Sequence, residues 1–152
     1  MIEILHSGQI LFIPLTALII TQLTKVTIEI VQGKRKKITV ASLNRYGGMP
    51  SSHSALFASL IIVSGLTFGL TSFEFAISVI LYLIMVRDAV GIRWHLGNHG
   101  AILKQLIKEH VKDNDDIEHD KIVTRLGHTP TEAFVGTIFG IVITALLWLL
   151  LN

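Results

Sequence analysis

Residues 133–151 read AFVGTIFGIVITALLWLLL, an apolar run whose only polar side chains are Thr137 and Thr144. A helix needs roughly 20 such residues to cross the ~30 Å hydrocarbon core of a bilayer, so this stretch decides the fold class. It is a membrane helix. Working back along the chain, three further apolar stretches follow the same logic. Residues 10–30 open as ILFIPLTALII and become more polar at Thr21, Gln22, Thr24, Lys25 and Thr27. Residues 55–70 are apolar with small residues interspersed, and residues 73–86 carry Glu74 as their only charge. The link at 69–72 is so brief that these two middle segments must form a tight antiparallel hairpin. The expectation is an all-α, integral-membrane helical bundle in a single domain, 1–152. It has about four transmembrane helices, near 10–31, 53–70, 72–87 and 131–151.

Composition agrees. Hydrophobic residues make up 51% and charged residues 16% of the chain, against about a quarter charged in a soluble domain. The mean hydropathy is +0.62. With no cysteine, the chain has neither a disulfide framework nor a thiolate metal site. A net charge of +2 gives no electrostatic footprint for nucleic acid. Residues 113–118 (DNDDIE) lack the glycine and spacing of an EF-hand loop and read as a solvated turn. No metal and no cofactor are expected. The N-terminus has no basic n-region and no small-residue cleavage site, so a signal peptide is not expected.

Basic residues set the orientation. Lys34, Arg35, Lys36 and Lys37 follow the first span, and Lys104, Lys108, Lys112, Lys121 and Arg125 lie between the third and fourth. Residues 1–9 and 69–72 contain no Lys or Arg. The positive-inside rule therefore puts both basic loops in the cytoplasm and both termini outside a multi-pass cell-membrane protein. Residues 92–126 form a cytoplasmic insertion. Within it Ile102, Leu103, Leu106, Ile107 and Val111 recur at helical spacing, which predicts an amphipathic helix on the membrane surface or over a site.

Three polar motifs fall on that one membrane face. The first is Gly47-Gly48-Met49-Pro50-Ser51-Ser52-His53-Ser54-Ala55. Its glycines and proline allow a tight turn, and Ser51, Ser52 or Ser54 can cap the following helix. Free N–H groups at a helix start bind phosphate, and His53 beside them can move a proton. The plain alternative is a capped turn entering a membrane helix. The second is Gly127-His128-Thr129-Pro130-Thr131-Glu132, where Thr129 or Thr131 caps the last helix and Pro130 fits its first turn. A carboxylate at Glu132 can fix the tautomer of His128 and leave its other ring nitrogen as nucleophile or base. Alternatively Glu132 complements the helix dipole and His128 is a surface residue. The third runs Arg87-Asp88-Ala89-Val90-Gly91-Ile92-Arg93; its arginines suit the charge of a phosphoryl group, or Arg87 simply snorkels to the interface. Lys25, an ionisable residue inside a membrane helix, either faces the site or pairs with Glu29 at i+4.

Pro50-Ser51-Ser52-His53 resembles the PSGH motif of the type 2 phosphatidic acid phosphatase superfamily, which includes vanadium haloperoxidases. That superfamily's third motif, Ser-Arg, five residues, His, three residues, Asp, is divided here. Residues 87–91 resemble its arginine end and residues 127–132 its histidine-acid end. With Lys25, the whole chain resembles the divergent branch of that superfamily. Ser52 stands where the superfamily has glycine, Glu132 where it has aspartate, and Lys25 is the nearest counterpart of its first motif.

The resemblance implies a phosphatase that needs no metal. His128 would attack phosphorus, Glu132 would orient it, and His53 would protonate the leaving oxygen. Lys25, Gly48, Ser51, Ser52 and either Arg87 or Arg93 would hold the phosphoryl oxygens, with Pro50, Asp88 and Gly127 supporting them. The substrate implied is a lipid phosphate or pyrophosphate at the bilayer surface. A homo-oligomer is compatible with this picture. The alternative from a different class is a catalytically silent membrane protein that binds phosphate head groups or a partner through the same residues.

Overall fold

The computed structural model describes residues 2–33, 48–110 and 128–152. The basic run 34–37, Gly47, the acidic run 113–118, Val111, Lys112, Lys121, Arg125 and Gly127 lie outside these residues. The described residues are all-helical, as the apolar pattern predicts. Helix α1 spans Ile2–Val31, α2 Ser52–Phe68, α3 Phe73–Arg87, α4 Arg93–His110 and α5 Pro130–Leu151. A π-helical turn, Asp88–Ile92, joins α3 to α4.

Among the described residues, three helices are long and apolar enough to cross a membrane, within 8–31, 73–107 and 130–151. The fourth apolar helix, α2, has 17 residues, about 26 Å at 1.5 Å per residue. It is short for a span but central, packed against α1, α3 and α5. Its buried residues are small: Ser52, Ser54, Ala55, Ala58, Ser59, Val63 and Ser64. Small side chains let backbones approach, and hydroxyls then bond across helices. Ser64 and Ser78 Oγ lie 3.0 Å apart between α2 and α3. Thr144 Oγ1 lies 2.6 Å from Ser59 Oγ between α5 and α2. On the α2–α5 seam a Cβ on Gly136 would sit 2.8 Å from Ser51 N, and one on Gly140 2.6 Å from Ala55 Cα. Helix α5 packs as closely as two backbones allow.

On α1 the buried residues Ile13, Ala17, Thr21 and Lys25 recur every fourth position, so one stripe of the helix faces the bundle. Gln9 Nε2 donates to Asn152 Oδ1 at 3.4 Å, which brings the start of α1 beside the end of α5. The end of α1, the start of α2, the end of α3 and the start of α5 accordingly meet at the opposite end of the bundle.

The sequence suggests a span ending at Arg87 and a separate amphipathic helix. In the structure α3 ends at Arg87, and the π turn joins it without a break to α4, which runs to His110. Residues 73–110 contain no proline, and the glycines there do not interrupt the helix. Ile102, Leu103 and Leu106 on α4 are exposed, and among the described residues α4 makes its extensive contact with the π turn alone.

Candidate functional site

The site is built at the end where the three motifs meet. Gly48 adopts φ +97°, a left-handed conformation suited to glycine. A Cβ there would also lie 2.7 Å from Glu29 Oε1 and 2.8 Å from Lys25 Cε. Thus Gly48, just before α2, lies directly on the side chains of Lys25 and Glu29 of α1. Lys25 is 3% exposed, as its place on the buried stripe requires. Lys25 and Glu29 thus both lie beside Gly48, at the end of the bundle where the motifs meet.

Pro50, Ser51 and Ser52 are buried. Of the three serines that can cap α2, Ser51 does so: its Oγ accepts from Ser54 N at 3.3 Å and from Ser54 Oγ at 3.0 Å. The Ser51 N–H donates to the Glu132 carbonyl at 3.3 Å, which ties the first motif to the second. His53, on the first turn of α2, is exposed. It lies within electrostatic reach of Arg93 and Lys25.

Thr129, not Thr131, caps α5, in a capping box with Glu132. Glu132 N–H donates to Thr129 Oγ1 at 3.2 Å, and Thr129 N–H donates to Glu132 Oε2 at 3.1 Å. The same carboxylate oxygen lies 3.3 Å from His128 Nδ1. An ionised carboxylate only accepts, so Nδ1 carries the proton in this pairing and Nε2 keeps its lone pair. The backbone of His128 is fixed as well: its N–H donates to the Ala89 carbonyl in the π turn at 3.0 Å. Burial pushes the His128 imidazole below its ordinary 6.5. The hydrogen bond and charge of Glu132 oppose that shift, while Lys25 and His53 add to it. Burial dominates, and the ring is neutral at neutral pH.

The arginines divide clearly. Arg87 ends α3 and is exposed. Arg93 bonds through Nε to Asp88 Oδ2 at 2.6 Å and is the arginine whose charge reaches His53. Lys25, Gly48, Ser51, His53, Arg93, His128 and Glu132 are therefore brought to one end of the bundle, with Asp88 holding Arg93.

Two features escape side-chain reasoning. The Ala89 and Glu132 carbonyls join the motifs through backbone atoms, which no residue type announces. The Gly136 and Gly140 spacing does have a signal, the small-xxx-small pattern of closely packed membrane helices.

One end of this helical membrane bundle thus gathers two histidines, a carboxylate, a buried lysine and a tethered arginine. The chain matches the Divergent PAP2 family over residues 6–143 and belongs to that family. It is 34% identical over 143 residues to the uncharacterized membrane protein YuiD of Bacillus subtilis (strain 168), covering 88% of this chain and 89% of that relative. No solved structure matches it. The chain is a membrane protein, with an all-helical fold in its described residues.

Proposed function

We propose that the protein is a membrane-embedded phosphatase that hydrolyses a lipid phosphate or diphosphate through a phosphohistidine intermediate. The observation that carries this reading is the fixed His128 imidazole, with Nδ1 held 3.3 Å from Glu132 Oε2 and Nε2 left as a nucleophile. Nε2 attacks phosphorus, the P–N bond forms, and the bond from phosphorus to the leaving oxygen breaks. His53, protonated once the negative phosphoryl group is bound beside it, gives its proton to that oxygen. Water then attacks the phosphohistidine and gives a proton to His53, the P–N bond breaks, and inorganic phosphate leaves.

Lys25 and Arg93 balance the phosphoryl charge. N–H groups in the first turn of α2 supply donors, since the Ser51 cap uses only that of Ser54. Shortness of α2 favours a lipid substrate, because its start then sinks toward head-group depth while α1 and α5 shield the loop backbone. The basic run 34–37 favours a cytoplasm-facing site.

Phosphate release from short-chain lipid phosphates by the purified protein in detergent tests the reading. Wild type is expected to turn over and His128→Ala to lose turnover by at least about a thousandfold. If the two are equally inactive and vanadate does not bind, the reading fails. Vanadate binding that depends on Lys25 and Arg93, without turnover, would identify a head-group-binding protein instead.

A further inference from the structure

The π turn at Asp88–Ile92 does two things that an α-turn cannot do together. An α-helix bonds each N–H to the carbonyl four residues back, which would pair the Arg93 N–H with Ala89. Here the Arg93 N–H bonds to Asp88 instead. The Ala89 carbonyl is thereby released, and it accepts the His128 N–H at 3.0 Å. The same wider turn alters side-chain register. Residues five apart do not face each other on an α-helix, but a turn closed by i→i+5 bonds stacks them. The 2.6 Å pair between Asp88 and Arg93 spans that spacing.

We infer that the π turn is the positioning element of the site, with Asp88 aiming Arg93 and the Ala89 carbonyl anchoring the His128 backbone. It rejoins two stretches that the chain separates by residues 94–127. For its effect on ligand binding the inference rests on the phosphate-site reading above; for the anchoring of His128 it does not. Asp88 touches no substrate in this account and acts only through Arg93.

Deleting Gly91 separates the two roles. With one residue fewer the segment closes as an α-turn, and Asp88 and Arg93 become i,i+4 neighbours that still pair. The Arg93 N–H then keeps the Asp88 carbonyl, now four residues back, while the Trp94 N–H takes the Ala89 carbonyl, and the His128 N–H loses its acceptor. Asp88→Asn does the reverse, removing the ion pair and leaving the carbonyl available. The full-length protein in detergent, labelled at histidine nitrogens, reports amide exchange at His128 directly. Vanadate titration reports the anion site, and circular dichroism reports retained helix.

In wild type the His128 amide is expected to be protected although it precedes α5. Deletion of Gly91 should speed its exchange about tenfold and weaken vanadate binding. Asp88→Asn should leave exchange unchanged and weaken vanadate binding about tenfold, with Asp88→Glu restoring part of it. An unprotected His128 amide in wild type overturns the inference, whatever becomes of the deletion variant. So does a Gly91 deletion that folds and keeps the amide protected, or an Asp88→Asn variant that binds vanadate as wild type does. If the amide behaves as expected and wild type binds no vanadate, the phosphate-site reading falls and the anchoring role of the turn stands.

Discussion

The seam between α2 and α5 and the junction between α3 and α4 deliver residues to the same site by opposite means. In the seam, side chains are removed so that backbones touch: Gly136 lies against Ser51 and Gly140 against Ala55. In the junction, the backbone winds more widely, Ala89 is the buried residue of the π turn, and a Cβ on Gly91 would meet nothing within 4 Å. The seam fixes the distance between the helix start that carries His53 and the helix that carries Glu132. The junction instead sets direction, turning Arg93 toward Asp88 and a carbonyl toward His128. Close packing resists any added atom, whereas a register device resists added or lost residues.

The sharpest way to break this comparison is Gly136→Ala. Its methyl group would sit 2.8 Å from Ser51 N and 2.9 Å from Ser51 Cβ, so the helices must separate. Overpacking of this kind costs about 3 kcal/mol when backbone blocks the way. Unfolding in detergent should show that loss, and vanadate affinity should fall with it because Ser51 caps the helix under the site. An unchanged melting temperature would mean that the seam is looser than its geometry.

Next in size is Glu132→Gln, which tests the histidine at the seam's end. Burial holds His128 below 6.5 while Glu132 pulls it upward. Taking away the carboxylate charge removes the upward pull, so His128 stays neutral to still lower pH. The acid limb of phosphate release should move down in pH, and the maximal rate should fall about a hundredfold or more as the ring loses its orienting partner. Linkage gives a matching sign in the unsubstituted protein. The unfolded chain takes up this proton first, so the His128 contribution to stability is complete above 6.5 and is lost as pH falls below it. An acid limb that moves upward in Glu132→Gln would contradict the assignment.

How far the sequence reaches depends on which atoms do the work. Apolar runs announce the helices because burial in lipid demands long unbroken stretches. The four-residue stripe from Ile13 to Lys25 is readable in the same way, and so is the meeting of three polar motifs once helix order is known. The sequence offers Ser51, Ser52 or Ser54 as the capping serine, since any of them has the same hydroxyl and only geometry selects. The π turn left no mark: Asp88–Ile92 has the composition of an ordinary helix, and its consequences run through a carbonyl. That is also why the sequence offers Arg87, by its place in the motif, beside Arg93, by the divergent branch's pattern. Their difference is angular, and it appears only when the turn is known to be a π turn.

The smallest expected effect is on the outer face of α3, where Ile84 is 60% exposed. Ile84→Ala removes atoms that face lipid or detergent, and such substitutions change stability by no more than about 0.5 kcal/mol. A matched truncation in the seam, Ile143→Ala, removes a side chain only 8% exposed and should cost about 2 kcal/mol or more through the cavity it leaves. The pair reads the two regions on one scale in a single unfolding series. A large loss at Ile84 would not be a cavity effect, because this chain packs little against that side chain. It would instead mean that a second chain covers α3, and dilution in detergent would then lower the melting temperature of the wild-type protein but not that of Ile84→Ala.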